Sequence, residues 1–203
     1  MQVTIKQNGP KVWVGAPKLE SAMGIDHGMI VLRCRDKRLL NKLVATALVK
    51  NTDSDMKTFY IYSAPDFLNA YADFITNASR DLGLDWEFLM HSTHFMNFST
   101  TSPARLHGMW TRLAEDSENT RLVVLDSVGH SKVRDTYLVE NINRLCHYKN
   151  ALALILDSSE EIDPTLERLA AVVVDLDVRG ERGIEVFLRK HPKIPQTVFL
   201  MSP

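Results

Sequence analysis

Three runs of uninterrupted apolar residues constrain this chain most: 29–32 (Met-Ile-Val-Leu), 122–125 (Leu-Val-Val-Leu) and 151–156 (Ala-Leu-Ala-Leu-Ile-Leu). Each is too short for a helix that packs on its own. Each has the length and composition of a strand covered on both faces. Such strands belong to a parallel sheet, and parallel neighbours need crossover connections of a dozen residues or more.

The intervening sequence supplies those crossovers. After 29–32, Leu39, Leu40, Leu43, Val44, Ala47 and Leu48 fall on one helical stripe. Residues 58–62 (Thr-Phe-Tyr-Ile-Tyr) are rich in strand formers. Pro65 opens a helical pattern to about Leu82, with Gly83 as its stop. Residues 86–90 read as a strand, 91–103 as a polar loop, 104–114 and 135–147 as helices. Asp163-Pro164 caps and opens a short helix. A short apolar/polar alternation at 11–14 precedes all of these. At the other end, 171–176, 184–188 and 197–201 are strand-like with no long helix between them, and Arg179-Gly180-Glu181 marks a hairpin turn. The expected fold is α/β: a mainly parallel sheet flanked by helices on both faces, with antiparallel C-terminal strands, in one domain over 1–203.

Composition limits the function classes. With 203 residues, 45% of them hydrophobic, the chain can bury a sizeable core without disulfides or metals. A formal net charge of −1 gives no general nucleic-acid or membrane footprint. Cys34 and Cys146 do not make a disulfide framework and read as reduced, buried thiols. No run approaches the roughly 18 apolar residues of a membrane span, and the first residues lack the pattern of a signal peptide. The expectation is a cytoplasmic protein.

The second half resembles the RecA/KaiC/RadA superfamily of P-loop ATPases. Residues 121–127 (Arg-Leu-Val-Val-Leu-Asp-Ser) have the form of its Walker B strand. The resemblance implies that Asp126, with Ser127 beside it, descends from the residue that holds Mg²⁺ through water. The apolar strand 151–156 follows, then Glu167-Arg168-Leu169-Ala170 before the run at 172–176, similar to the family's "E-x-L-A-D-x-V-x-x-L" segment. The strand at 182–186 resembles its closing hairpin. In the first half, Gly28-Met29-Ile30-Val31-Leu32 resembles the strand leading into the phosphate loop, and 58–62 the next strand, "Y-I-S". Segment order matches over roughly 12–190 and implies a RecA-like fold.

The catalytic parts do not match. A phosphate loop needs glycines, because backbone N–H groups must wrap the phosphates closely. Here the segment is Arg33-Cys34-Arg35-Asp36-Lys37-Arg38-Leu39-Leu40-Asn41-Lys42, and no glycine occurs between Met29 and Leu82. Gapless matching puts Leu40 at the phosphate lysine and Asn41 at the Mg²⁺ hydroxyl. Ala64 falls near the family's water-activating Glu, with Asp66 as a substitute if the register slips. The "K-x-R" of KaiC-like proteins falls near Leu188 and Lys190.

Other constellations are weaker. Asp126 also suits a plain turn or helix cap. His91 and His94 have a metal-like spacing, with His107 and His130 elsewhere, but no Cys or second pair lies nearby; they read as exposed loop residues, and no metal is expected. Ser127, His130 and Asp126 are too close in sequence for a hydrolase triad. Phe95, Phe98 and Trp110 either stack bases or pin the long loop. Arg33, Arg35, Lys37, Arg38 and Lys42 form the strongest basic cluster, suited to an anion, a nucleotide phosphate or a nucleic-acid backbone, or else a solvated helix start. The expected function is a non-catalytic RecA/KaiC-like pseudo-ATPase that acts as an interaction, scaffold or regulatory protein, through self-association or a RecA-like paralog, with no cofactor and no membrane partner. The alternatives are a DNA-binding recombination accessory factor and an atypical nucleotide-binding ATPase.

Overall fold

The structure, a computed structural model, describes residues 12, 14–25, 27–51, 57–62, 93–97, 120–126, 136–149, 151–180 and 183–202. The expected helices at 65–82 and 104–114 and the strand at 86–90 lie outside these residues, as do Ser127, His91, His107, His130, Phe98 and Trp110.

In chain order the elements are α1 (Pro17–Ala22), β1 (Gly28–Cys34), α2 (Lys37–Asn51), β2 (Lys57–Tyr62), β3 (Thr93–Asn97), β4 (Thr120–Asp126), α3 (Thr136–Lys149), β5 (Leu152–Asp157), α4 (Pro164–Leu169), β6 (Val172–Val178), β7 (Ile184–Lys190) and β8 (Thr197–Met201). Among the described residues eight strands form one sheet, in the order β3-β2-β4-β5-β1-β6-β7-β8. The six strands from β3 to β6 run parallel. β7 runs against β6, and β8 against β7. The sheet is therefore mixed and mostly parallel, with its antiparallel pairing at the C-terminal end.

The apolar runs occupy the middle. Every residue of β1 and of β5 is buried. Their alternating side chains feed two cores. Ile30 and Leu32 pack with α1 and α2, through Leu19, Leu43, Val44 and Leu48. Met29 and Val31 pack with α3 and α4, through Ile142, Cys146 and Leu166. Helices thus cover both faces, which is why these strands read as continuous apolar runs rather than as alternations. Truncating one of these central leucines to alanine costs about 2–5 kcal/mol in such an environment.

Local signals explain several boundaries. Gly28 opens β1 at φ +115°, a conformation that side-chain-bearing residues rarely adopt. Asp163 caps α4 by accepting from Thr165 N at 2.7 Å, with Pro164 in the first turn. Gly180, at φ +62°, shapes the β6–β7 hairpin, where Arg179 N donates to Gly183 O at 2.9 Å. One expectation needs correction. Residues 93–97 are not loop: they form β3, paired in parallel with β2 from Thr58↔Thr93 to Tyr62↔Asn97. His94 and Phe95 are therefore strand residues. Pairing to an existing strand overrides a polar, weakly patterned sequence. In the 11–14 alternation, Val12 and Val14 are buried but belong to no strand.

Candidate functional site

The helical crossovers fix where a ligand edge lies. β1 connects through α2 toward β2, on one face and in one direction along the sheet. β5 connects through α4 past β1 to β6, on the other face and in the opposite direction. Reversing both face and direction keeps one hand, as such crossovers require. It also creates a crevice at the C-terminal ends of β1 and β5, the position at which open α/β sheets bind ligands.

Arg33 occupies that crevice. It is the penultimate residue of β1, in register with Asp157 of β5 and Asp175 of β6. Its Nε donates to Asp157 Oδ2 at 3.2 Å and its Nη1 to Asp175 Oδ1 at 2.8 Å. Nη2 donates to the Ser159 and Glu160 carbonyls at 3.3 and 3.0 Å. Asp157, 1% exposed, also accepts from Ser159 N at 2.9 Å through its other oxygen. Asp175 Oδ2 accepts from Arg189 Nη1 at 3.4 Å, and Arg189 Nη2 reaches Glu167 Oε1 at 3.2 Å. Lys190 Nζ donates to the Glu167 and Arg168 carbonyls at 2.8 and 3.1 Å, capping the C-terminal end of α4. A chain of five charged side chains, Asp157–Arg33–Asp175–Arg189–Glu167, thus runs from β5 across β1 and β6 to β7 and α4.

The connection from β1 to α2 is short. Only Arg35 and Asp36 separate Cys34 from Lys37. Asp36 Oδ1 accepts from Arg38 N at 2.8 Å and from Leu39 N at 3.2 Å. These N–H groups at the start of α2 are the ones that an anion at a helix N-terminus uses. Here the chain's own carboxylate holds them and adds a negative charge. A phosphate-sized backbone cradle does not fit in two residues.

The five basic residues consequently do not converge. Arg33 is buried in the sheet. Arg35 is exposed and lies 3.7 Å from an exposed Glu160 carboxylate. Lys37, Arg38 and Lys42 are exposed on α2. Beside the crevice, a cleft of 630 Å³ is lined by Cys34, Arg35, Asp36, Glu160 and Asp177, among others. Arg33, Arg35, Asp36, Glu160, Asp175 and Asp177 give its lining two cations against four carboxylates, which disfavours a polyanion. Burial pushes the Cys34 thiol up, and pushes that of Cys146 up to about 12, so neither is a poised nucleophile. Asp126 closes β4, in register with Tyr62. β5 separates β4 from β1, so the two strands lie roughly 10 Å apart. Among the described residues no group of three or more His, Cys, Asp or Glu is placed to hold a metal ion.

Residue-by-residue reading misses Asp157 and Asp175. The signal was present, since an aspartate inside or directly after an apolar strand must be paired once buried. The partner was not readable, because Arg33 lies 124 and 142 residues away from them. The sequence matches no protein-family model and no curated protein. No helix among the described residues is long and apolar enough to cross a membrane.

Proposed function

We propose that the chain is a RecA/KaiC-like domain that has given up ATP hydrolysis and acts by association, as a scaffold or regulatory subunit. The fold part of this reading draws support from the mostly parallel sheet with helices on both faces, and from the strand order. The strand that would lead into a phosphate loop (β1) and the strand ending in Asp126 (β4) run parallel and finish at the same edge, with β5 between them. The observation that carries the loss of catalysis is the two-residue connection sealed by Asp36, with Arg33 filling the neighbouring crevice. Association with another copy, or with a RecA-like paralog, is the function left to such a domain.

The test is equilibrium binding and turnover of Mg-ATP, beside sedimentation of the purified chain. The reading expects neither binding nor turnover, and a mass above that of the monomer alone or with a paralog. Turnover abolished by Asp126→Ala, and weakened by Lys37→Ala or Lys42→Ala, overturns it in favour of an atypical ATPase. Salt-dependent binding of single-stranded DNA, weakened by charge removal at Lys37, Arg38 and Lys42, favours the recombination accessory factor instead.

A further inference from the structure

His191 follows β7 directly and begins the turn into β8. Its Nδ1 accepts two backbone N–H groups, from Lys193 at 3.0 Å and Ile194 at 2.9 Å. Only an unprotonated Nδ1 can accept, so the ring is neutral with its proton on Nε2. That Nε2 is buried and faces the Gly24 carbonyl of the α1–β1 turn without closing a well-formed hydrogen bond. The imidazole therefore holds the β7–β8 turn and presses it against a second element. The β7–β8 ladder, from Ile184↔Met201 to Leu188↔Thr197, holds this end of the sheet too, with Met201 buried at the core. Gln196 Nε2 donates to Arg189 O at 3.0 Å, and Lys18 Nζ reaches Leu200 O at 3.3 Å.

We propose that His191 is a pH-sensitive latch: the neutral ring fastens the β7–β8 turn, and protonation of Nδ1 releases the turn and loosens β8 from the sheet. Protonation turns the acceptor of two N–H groups into a donor that faces them. The charge that acts on the ring is the Lys193 ammonium on the same turn, which opposes a second cation. The neighbouring Lys190 is engaged at the end of α4, and the element packed on the far side offers the Gly24 carbonyl. Partial burial is the larger cause and works in the same direction as Lys193, while the Gly24 carbonyl opposes both; the net effect lowers the affinity of the ring for a proton below its ordinary value of 6.5. The sign follows. The latched state binds the proton less well than the released state, so the latch is complete above the ordinary value and weakens as the pH falls below it. This device does not depend on the RecA-like reading.

The test is amide hydrogen exchange of Lys193, Ile194 and the β8 residues on the full chain between pH 8 and 5, corrected for intrinsic rates. Opening of these amides is expected to grow below about pH 6.5, by up to roughly tenfold per pH unit, while β1 and β5 stay protected. His191→Asn keeps an oxygen able to accept the same two N–H groups but cannot be protonated; the pH dependence of β8 should vanish in it. Ring ¹⁵N shifts of the unmodified chain give a second measurement, independent of any variant. They should show the Nε2–H tautomer at pH 8 and titration below the ordinary value. An Nδ1–H tautomer, titration at or above that value, or an unchanged pH dependence in His191→Asn overturns the proposal.

Discussion

The two ends of the strand row from β5 to β8 are held by different physics. At β5–β1–β6, strands are covered on both faces, and the charges at their C-terminal ends neutralise one another in a connected, hydrogen-bonded chain. Among the described residues β8 pairs with β7 alone, and Val198 and Leu200 are 55% and 57% exposed. In the first region the protein's own ion pairs take up the charged groups at the strand ends, beside an open cleft. In the second, apolar surface is left uncovered. The difference teaches where substitutions act. At the crevice an error leaves a buried charge without a partner, whereas at the edge water replaces whatever is lost.

The sharpest test of that contrast is Arg33→Met. It leaves Asp157 buried without its counter-charge and strips Asp175 of one of its two guanidinium partners. Breaking a buried pair from one side costs about 3–5 kcal/mol. Urea denaturation should show that loss without a change in slope. Removing the Asp157 charge as well, in Arg33→Met/Asp157→Leu, should recover much of it, since the desolvated charge then disappears with its partner. If Arg33→Met alone is nearly neutral, the crevice is wet and open, and the contrast with β8 collapses.

Next in size is Asp36→Ala. It frees two N–H groups at the start of α2 and removes an acidic group just before a first turn that carries Lys37 and Arg38 and no acid of its own. A cap of this kind contributes about 1 kcal/mol, again read by urea denaturation. The variant also separates two explanations for the missing cradle. If shortness of the connection excludes phosphate, Asp36→Ala still binds no Mg-ATP. If the carboxylate alone excludes it, weak binding appears.

These two sites show what can be read from a linear sequence and what cannot. The buried strands were legible because two-sided burial writes itself as an unbroken apolar run, at 29–32, 122–125 and 151–156. The start of α4 was legible because Asp163-Pro164 acts locally. β3 was not, because Thr93–Asn97 become a strand by pairing with Thr58–Tyr62, across more than thirty residues of chain. α1 was missed because six residues carry too little periodicity to stand out. The basic segment 33–42 shows the limit most clearly. Its composition reads as one positive patch, yet Arg33 still lies within β1 and is buried in the sheet, while Arg35 and Lys37 lie past the end of the strand and stay at the surface. Sequence alone suggested that no cradle forms there. It did not reveal that an arginine and an aspartate take the cradle's place.

At the open edge the expected effects are small, and that smallness is the test. Val198→Thr and Leu200→Thr remove exposed apolar area while keeping strand propensity, so each should change stability by no more than about 0.5 kcal/mol. A larger loss at either position means that β8 is covered in solution, and sedimentation of the same variants would then show whether the cover is a second copy. Arg35→Ala completes the series. The Arg35–Glu160 pair is 3.7 Å long, with side chains 78% and 86% exposed, and such pairs contribute little once water screens them and their side-chain entropy is counted. No measurable change in denaturation midpoint is expected, although Arg35 stands only two residues from Arg33. A measurable change would extend the buried network to the surface and make the boundary between the sealed crevice and the solvent-exposed cleft far less sharp than the burial of Arg33 implies.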